Sequence, residues 1–389
     1  MVTIFSPQQS SRASKNHMGI NQQTAERCTS CILPRSTRGL NFNQDGVCDI
    51  CSMQEKLRET NGDVEEKPGD IEKIIQKMRD LGKHRQYDCL VGFSGGRDST
   101  YLLHQLVRIH KLRCVAAYYR TPFTDDVIEQ NVQKTVNLLD VPLVNMKISQ
   151  EFHRQYARKV LLLWKKTPRP ELINLLCAPC KYVNAQVFRI ARRYGIKSIV
   201  FGGNKYETFQ LGAASFSSKP GHHVHSFTSQ ARRGFLVLKR GISFLMKHPH
   251  CVPLIPVGFK ASVLYINPHT PYLRLHYSDI VRIDYFRHTK YDESECNSVI
   301  ISELGWCLPP GCNSYWRADC SMAELKNLLF QRTVGLSYMD AYLSNFLRSG
   351  EITRDEALSR LETEGKTSQY RLEHAIRVLG VGRNFLDTQ

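Results

Sequence analysis

Apolar positions in the middle of the chain follow two periods in turn. Short, mostly apolar runs predict strands at 87–93, 114–118, 142–148 and 197–201. The segments between them space their apolar residues three and four apart, which predicts helices at 98–109, 125–139 and 181–194. Strands that alternate with helices along the chain predict a doubly wound, parallel α/β sheet.

The flanking segments lack this rhythm. Residues 57–70 predict an acidic linker that ends at Asp70, the expected N-cap of a helix beginning at Ile71. The chain is therefore expected to divide into a disordered tail at 1–26, a cysteine-rich module at 27–56, an α/β core at 71–207, an insertion at 208–278 and a mainly helical C-terminal region at 279–389.

Composition places the chain among globular proteins. Hydrophobic residues make up 42% of its 389 residues and charged residues 23%, enough to form a buried core. The amino terminus has no apolar signal-peptide region, and no apolar run is long enough to span a bilayer. We therefore expect a cytoplasmic protein without a transmembrane segment. In such a protein, thirteen cysteines point to metal binding or catalysis rather than to disulfides.

Positive charge is concentrated in one part of the chain. The formal net charge is +17, and residues 208–278 contain eight Lys or Arg, seven His and no acidic residue. Such a segment attracts phosphates, nucleic acid or anionic lipid, although a basic surface without a dedicated ligand is an equal alternative. We expect it to bind an anionic ligand or partner. Its histidines at 222, 223 and 225 fit a solvated cluster better than a metal site.

The strongest chemical signal is the run Ser94-Gly95-Gly96-Arg97-Asp98-Ser99, between a predicted strand and a predicted helix. Two glycines let the backbone approach an anion closely, and the following helix N-terminus offers free N–H groups and a positive dipole end. Ser94 and Ser99 can add hydroxyl donors, and Asp98 can cap the helix or position Mg²⁺. The run has no Gly-Lys-Ser/Thr ending and no third glycine, so it is neither a Walker A loop nor a dinucleotide fingerprint.

The order Ser-Gly-Gly-x-Asp-Ser matches the PP-loop of ATP pyrophosphatases, which cleave ATP between the α and β phosphates. All six residues, Ser94 to Ser99, are therefore expected to bind ATP, with Ser94, Asp98 and Ser99 as the catalytic candidates. An ordinary glycine-rich turn is the weaker alternative.

A second glycine loop follows the strand at 197–201. Gly202, Gly203 and Asn204 come at the carboxyl end of that strand, where open α/β sheets form their ligand crevice. We expect these three residues to face the nucleotide or the substrate, with a simple turn as the alternative.

Two cysteine pairs near the amino terminus have the spacing of a zinc ribbon. Cys28 and Cys31 form the first CxxC, and Cys48 and Cys51 form the second after sixteen intervening residues. Four cysteines complete a tetrahedral site with no open position, so the expected Zn²⁺ is structural. The module at 27–56 is thus predicted to be a zinc ribbon.

A third CxxC, Cys177-Ala-Pro-Cys180, precedes the predicted helix at 181–194. It could be a metal knuckle completed by a cysteine such as Cys251 or Cys296, or a ligand pair for an iron–sulfur cluster. It could also carry a persulfide or simply be buried. The unpaired cysteines at 296, 307, 312 and 320 are interpreted as structural.

Several short stretches, taken in order, resemble one branch of the PP-loop superfamily, the N-acetyl sugar amidotransferases of bacterial surface-polysaccharide biosynthesis. The resemblance runs from about Arg27 to Leu361. It is carried by the two amino-terminal CxxC knuckles with Asp45-Gly46-Val47 before the second, the loop 94–99, the loop 202–204, Tyr277-Ser278-Asp279-Ile280, Leu304-Gly305-Trp306, and the segment 343–358 (LSNFLRSGEITRDEAL).

The resemblance implies a fold and a reaction. The fold would be of the adenine-nucleotide α-hydrolase type. ATP would adenylylate the oxygen of an N-acetyl group on an anionic, nucleotide-linked sugar, and ammonia from a separate glutaminase subunit would displace AMP to give an amidine. The chain departs from the family at 307–314 (CLPPGCNS) and in its basic insertion, which leaves the acceptor open.

Two other functions compete with this interpretation. Cys177, Cys180 and the positive charge suit an ATP-dependent sulfurtransferase acting on tRNA or a small molecule, since RNA binding needs a basic surface. A zinc-ribbon adaptor that has lost activity is the least favoured, because the 94–99 loop is intact.

Overall fold

The computed structural model describes residues 26–61, 70–207 and 249–386. Most of the expected tail, most of the linker and the first part of the basic insertion, with the histidines at 222, 223 and 225, lie outside the described residues.

Five strands form a single parallel sheet. They are β1 (Cys89–Phe93), β2 (Cys114–Tyr118), β3 (Leu143–Asn145), β4 (Ser198–Phe201) and β5 (Val281–Asp284). Their order across the sheet is β3-β2-β1-β4-β5, and each neighbouring pair is parallel. The chain moves outward from β1 to β3 and then restarts at β4, on the other side of β1. The order of strands therefore reverses between β1 and β4.

Fourteen α-helices accompany the sheet in the described part of the chain. Those up to β4 are α1 (Asp49–Asn61), α2 (Ile71–Gly82), α3 (Arg97–His104), α4 (Asp126–Leu139), α5 (Gln150–Lys166), α6 (Pro170–Leu175) and α7 (Tyr182–Arg193). Those after β4 are α8 (Ile255–Phe259), α9 (Pro271–His276), α10 (Glu293–Ser302), α11 (Met322–Val334), α12 (Tyr338–Arg348), α13 (Arg354–Glu364) and α14 (Gln369–Leu379). None of the described helices is long and apolar enough to cross a membrane.

Both faces of the sheet are covered, which confirms the predicted doubly wound α/β class. Val91 and Phe93 of β1 point into one core, which contains Leu102 and Leu103 of α3. Leu90, which directly precedes Val91, points to the opposite face and joins a second core. That second core holds Val187 and Phe188 of α7, among other residues. Side chains that alternate along β1 thus reach two helical layers.

The predicted elements of the core are present with small shifts at their ends. Asp70 caps α2 as expected, because its side chain accepts a hydrogen bond from the Lys73 backbone N–H at 3.3 Å. The expected acidic linker begins later than predicted, since helix α1 continues to Asn61. The helix over 98–109 keeps α-geometry only to His104 and ends in a wider π-turn over Gln105–Ile109.

The mainly helical region from 279 onward also contributes a strand that sequence analysis missed. β5 pairs with β4 through Ser198↔Val281 and Val200↔Ile283. The strand has only four residues, and Ile283 is the single fully buried side chain among them. Such a short, half-polar segment gives no periodic signal of its own, and its pairing with β4 makes it a strand.

Candidate active site

The two glycine loops meet where the strand order reverses. The 94–99 loop leaves the carboxyl end of β1, and the 202–204 loop leaves the carboxyl end of β4, its neighbour in the sheet. In open α/β sheets this reversal opens a crevice at the carboxyl ends of the strands, where ligands bind. The topology therefore brings both predicted loops to the place where a nucleotide is expected.

The two serines of the first loop hold its shape. Ser99 Oγ accepts a hydrogen bond from the Ser94 backbone N–H at 3.2 Å and donates to the Gly96 carbonyl at 3.1 Å. Ser94 Oγ lies 3.1 Å from Ser99 Oγ and accepts from the Gly96 N–H at 3.2 Å. The hydroxyls thus close the loop around Gly95 and Gly96.

A glycine is required at position 95 because this part of the loop packs closely against helix α4. Its φ is +79°, in the left-handed region, and a Cβ there would lie 2.5 Å from Val132 Cγ2 and 3.0 Å from Ile128 Cγ2 of α4. A side chain at Gly95 would therefore collide with α4. A Cβ on Gly96 would lie 3.2 Å from Asp319 Cγ, so Asp319 lies directly against the loop.

Asp98 joins the two loops. Its Oδ2 accepts a hydrogen bond from Asn204 Nδ2 at 2.7 Å, and its Oδ1 accepts from Arg97 Nε and from the Tyr291 hydroxyl, each at 2.7 Å. The expectation that Asp98 caps the helix is wrong, because Gly96 is the N-cap of α3 and no side chain caps it. The Asp98 carboxylate instead fixes the 202–204 loop against α3.

Asn204 and Gly203 have different roles in the second loop. The Asn204 side chain is buried, and its Oδ1 accepts hydrogen bonds from the N–H groups of Tyr206 and Glu207 at 3.0 and 3.1 Å. A Cβ on Gly203 would meet nothing within 4 Å, so the backbone there stays open to a ligand.

Arg97 is buried beneath the loop. Its side chain is 2% exposed and pairs with Asp98 and Glu293, and its Nη2 donates to the hydroxyls of Tyr291 at 2.6 Å and Tyr342 at 3.1 Å. The guanidinium is already satisfied by protein groups. Arg97 can therefore offer a nucleotide only its backbone.

A segment that sequence analysis overlooked lies beside both loops. Trp316 Nε1 donates to Glu207 Oε1 at 2.9 Å, just after the 202–204 loop, and Trp316 stacks on Tyr342 with ring centroids 4.1 Å apart. Burial raises the pKa of Glu207 above its usual range. Arg317, the next residue, has a left-handed φ of +54°, a conformation that non-glycine residues adopt rarely and mainly at functional sites.

Cys177 and Cys180 lie half-buried on a single 3₁₀ turn, Ala178–Lys181, with Cys177 as its N-cap. A hydrogen bond from Cys180 lowers the pKa of Cys177 to about 5 despite its burial, and Lys326, Arg317 and Lys181 add to this effect. Cys180 Sγ lies 3.8 Å from His153 Nε2. Burial lowers the pKa of His153 to about 4, so this imidazole is neutral at pH 7.

The expected partners of this pair are not assembled around it. Among the described residues, the only group of three or more Cys, His, Asp or Glu side chains with ligand atoms within 4.8 Å of one another is the amino-terminal four. Neither Cys251 nor Cys296 therefore completes a single-ion site with Cys177 and Cys180. Burial and the charge of Cys177 raise the pKa of Cys320, so this thiol interacts with the pair, although sequence analysis interpreted it as structural. Of the other unpaired cysteines, Cys307 is exposed rather than buried.

Cys28, Cys31, Cys48 and Cys51 form a buried tetrad whose sulfurs all lie within 4.8 Å of one another. Cys31 Sγ and Cys48 Sγ are 3.8 Å apart, and ligands of a tetrahedral ion with Zn–S bonds of about 2.3 Å are separated by about 3.8 Å. Cys28 Sγ accepts hydrogen bonds from the N–H groups of Cys31 and Cys48. Hydrogen bonds from the other three thiols hold the pKa of Cys28 well below its usual range. The donor set fits a structural Zn²⁺.

The tetrad packs on the C-terminal segment that carries the family resemblance. Arg354 Nη1 donates to the carbonyls of Cys28, Thr29 and Cys31, and Arg348 Nη1 lies 3.9 Å from Cys51 Sγ. These two arginines at the ends of α12 and α13 therefore hold the cysteine module against the C-terminal helices.

The same C-terminal segment reaches the second glycine loop. Asn345 Nδ2 donates to the Tyr206 carbonyl at 2.8 Å, and the Tyr206 hydroxyl donates to Glu351 Oε1 at 2.8 Å. The C-terminal helices thus connect the cysteine module with the candidate active site.

The residues missed by sequence analysis share one property. Tyr291, Glu293, Trp316 and Asp319 lie outside any motif, and folding brings them to the loops from distant positions. One available signal was the 315–320 segment (YWRADC), which combines aromatic, charged and cysteine residues in six positions.

Comparison with known proteins gives remote structural likenesses only. No protein-family model matches the chain, and no curated protein matches it. NMN synthetase from Francisella tularensis is 11% identical, with a TM-score of 0.36, and the match covers 77% of this chain and 93% of that one. The U34-tRNA thiolase NcsA from Methanococcus maripaludis, solved with its [4Fe-4S] cluster, is 14% identical with a TM-score of 0.33, over 91% of this chain and 88% of that one.

A third structure is the NH3-dependent NAD synthetase from Campylobacter jejuni. It is 14% identical with a TM-score of 0.25, over 50% of this chain and 95% of that one. At such identities and scores these likenesses carry no argument about the reaction of this chain.

Proposed function

We propose that this protein is an ATP-dependent enzyme that transfers the adenylyl group of ATP to an oxygen of its acceptor and releases pyrophosphate. The observation that carries the proposal is the SGGRDS loop at the carboxyl end of β1, joined to the second glycine loop by the Asn204–Asp98 hydrogen bond. The loop opens helix α3, whose positive dipole end favours an anion.

The loop would act on the leaving group. Negative charge grows on pyrophosphate as the bond between the α and β phosphates breaks, so fixed donors stabilise the transition state more than the ground state. The Gly95–Gly96 backbone and the first turn of α3 would supply these donors. Ser94 and Ser99 already hold the loop in shape, so little reorganisation is needed when ATP arrives.

Asp319 is the carboxylate best placed to hold Mg²⁺ for the phosphates. Both oxygens of Asp98 are occupied by Arg97, Tyr291 and Asn204, whereas no described residue donates a hydrogen bond to the half-buried carboxylate of Asp319. Asp319 also lies against Gly96. Mg²⁺ prefers carboxylate oxygens combined with substrate phosphates and would neutralise the phosphates when bound.

For the second half-reaction we favour ammonia as the nucleophile and an N-acetyl sugar as the acceptor, in line with the resemblance to the sugar amidotransferases. The acetamido oxygen would attack the α phosphorus, and ammonia would then replace the adenylylated oxygen as AMP departs. The product would be an amidine. A separate glutaminase subunit would supply the ammonia.

A sulfurtransferase is the second candidate, and the Cys177–Cys180 pair supports it. The pair is half-buried, is close enough to three cations to interact with them, and interacts with a third thiol, Cys320. Such sulfurs suit a soft metal or an iron–sulfur cluster, with Cys177 and Cys180 as ligands, or a persulfide. Under this alternative the acceptor would be tRNA or a small molecule.

The nucleotide products test the adenylylation step. The full chain would be incubated with ATP, Mg²⁺, ammonium chloride and a UDP-linked N-acetyl sugar whose acetyl oxygen is ¹⁸O. The expected products are AMP and pyrophosphate, with the ¹⁸O in the AMP phosphate because that oxygen becomes bonded to phosphorus. Formation of ADP and inorganic phosphate would reject both enzymatic proposals.

The nucleophile is tested by a pair of variants. Cys177→Ser and Cys180→Ser should leave ammonia-dependent AMP formation nearly unchanged if the enzyme is an amidotransferase. If sulfide replaces ammonia and both variants lose activity while Cys307→Ser retains it, the sulfurtransferase is the correct function. A brown colour with visible absorbance after purification would add support for a cluster at this pair.

A further inference from the structure

Arg317 has an unusual environment for an arginine inside a protein. Its guanidinium lies over the rings of Trp316 and Tyr338, 5.0 and 4.9 Å from their centroids. Its Nε is fully buried without a hydrogen-bond partner, and within the described part of the chain none of its nitrogens lies within 4.0 Å of a carboxylate oxygen. A guanidinium has five donors in a fixed fork, and here they are unused.

Lys326 packs on the same Tyr338 ring. The side chain of this α11 residue is about nine-tenths buried, and its Nζ lies 5.3 Å from the centroid of the Tyr338 ring. In the described ranges no carboxylate pairs with it either. The solvent-accessible Lys181 is close enough to affect both charges. Arg317 and Lys326 thus share the Tyr338 ring, and Lys181 is near enough to interact with both charges, although like charges repel.

Two carboxylates near these cations make their contacts with other groups. The Glu207 carboxylate accepts the Trp316 indole N–H, and Asp319 lies against Gly96 of the nucleotide loop. Both carboxylates still favour the charged form of Arg317 through space, but no described group accepts a hydrogen bond from its buried Nε. The site therefore offers unused hydrogen-bond donors to an anion.

This site lies between the nucleotide loop and the Cys177–Cys180 turn. Arg317 is two residues from Asp319, which contacts Gly96, and directly follows Trp316, which is bonded to Glu207 after the second glycine loop. A ligand held by these cations would be next to a nucleotide on the 94–99 loop. The left-handed backbone at Arg317 fixes the guanidinium in this position at a conformational cost, which is typical of a ligand-binding residue.

We propose that Arg317, Lys326 and Lys181 form a subsite for a phosphoryl group of the acceptor, distinct from the site of the ATP phosphates. The proposal rests on the proposed adenylylation, because it places the acceptor beside the nucleotide. Three cations suit a dianionic phosphoryl group better than a single carboxylate, and the planar fork of Arg317 can bind two of its oxygens. Bound phosphate would supply the acceptors that Arg317 lacks.

The test uses the full chain and inorganic phosphate as the probe. The protein is first saturated with Mg²⁺ and α,β-methylene-ATP, which cannot be cleaved, and phosphate is then titrated by calorimetry. We expect phosphate to bind the loaded wild-type protein. Arg317→Met should weaken phosphate binding at least tenfold, since hydrogen bonds to charged groups are lost, and should change the affinity for the ATP analogue less than twofold. Lys326→Met should act likewise.

Two controls separate a binding role from a structural one. Lys159→Met removes the same charge from an exposed site on α5 and should leave phosphate binding unchanged. Without ligand, Arg317→Met should melt near the wild-type temperature, because it removes a guanidinium that makes no hydrogen bond or close ion pair with a described residue. A lower melting temperature with unchanged phosphate binding would show a structural role and overturn the proposal.

Binding of the ATP analogue gives the second result that could overturn the proposal. If Arg317→Met weakens binding of the ATP analogue tenfold and the loaded protein binds no phosphate, Arg317 belongs to the triphosphate site and the proposal is wrong. If the wild-type chain does not bind the analogue at all, the adenylylation proposal fails. Phosphate titration of the nucleotide-free chain and of Arg317→Met then still decides whether the subsite exists.

Discussion

Single residues of the 94–99 loop serve the protein's own structure. Gly95 provides a left-handed turn against α4, Ser94 and Ser99 close the loop, and Asp98 binds the neighbouring loop. Under the proposed function, these contacts leave the backbone of the loop to bind the phosphates of ATP. A loop fixed in this way can stabilise developing charge without reorganising.

Replacement of Gly95 by alanine should therefore reduce stability, and not merely obstruct phosphate. The new Cβ would lie 2.5 Å from Val132 Cγ2 at a φ of +79°. Overpacking of this kind costs about 1–3 kcal/mol, and the left-handed backbone about 1–2 kcal/mol more. Urea unfolding should show this loss. The double variant Gly95→Ala/Val132→Ala should lose less than the sum of the single variants, because it relieves the clash. Strict additivity would contradict the predicted contact.

Asp319 and Asp98 should behave differently when each is changed to asparagine. Asp319→Asn should raise the Mg²⁺ concentration needed for half-maximal AMP formation about tenfold, since it removes a charged ligand worth roughly 1.4 kcal/mol or more. Asp98→Asn should chiefly lower the melting temperature, because the buried Arg97 loses a carboxylate partner. Equal effects on the Mg²⁺ dependence would reject Asp319 as the metal ligand.

At the scale of single residues, the sequence predicts those that lie within motifs. It misses those that only folding brings to the candidate site. Ser94 to Ser99 and Gly202 to Asn204 could be found because each loop follows a recognisable strand. Asp319 could not, since its importance depends on a contact with Gly96 more than 200 residues away in the chain. No local pattern encodes such a contact.

Among the structural elements, the cysteine module is stabilised by contacts with other parts of the chain. It has two isolated β-bridges and one helix, and its cysteines pack on α12 and α13 through Arg348 and Arg354. A segment so small cannot form a sufficient core of its own, so metal and docking must both contribute to its stability. The spacing of the cysteines predicted the tetrad, whereas nothing in the spacing indicated the surface on which it packs.

The metal should accordingly be a folding ligand for this element. Purified protein should contain one Zn²⁺ per chain, and Cys48→Ser should lose it and melt at a lower temperature, because one of four ligands is removed. Cys307→Ser, at an exposed position, is the matched control and should retain both the metal and the melting temperature. Metal-free wild-type protein with an unchanged melting temperature would show that the tetrad does not bind zinc.

In the whole molecule, the N-terminal and C-terminal parts of the chain share one sheet and one buried charge network. β5 adds the edge strand from beyond residue 279, and Arg97 pairs with Glu293 of α10 and donates to Tyr342 of α12. Sequence analysis expected a core at 71–207 and a separate helical region at 279–389. The strand and the network cross that boundary, and both depend on long-range contacts that periodicity cannot reveal.

Replacement of Arg97 tests whether this network joins the N-terminal and C-terminal parts of the chain. Arg97→Met would leave Asp98 and Glu293 close to each other without their shared cation, and breaking a buried ion pair costs about 3–5 kcal/mol. Arg120→Met is the matched control, because Arg120 pairs with Asp126 and Glu129 at the surface with 45% of its side chain exposed. Its loss should cost about 1 kcal/mol or less.

Scanning calorimetry should then show how far the network unites the chain. We expect wild-type protein to unfold in one main transition, because the sheet cannot keep β5 and the Arg97 network if the C-terminal helices unfold first. Arg97→Met should shift this transition to lower temperature or split it in two, whereas Arg120→Met should do neither. Two well-separated transitions in the wild-type chain would mean that residues 71–207 and 279–389 fold independently, and that the network contributes little to joining them.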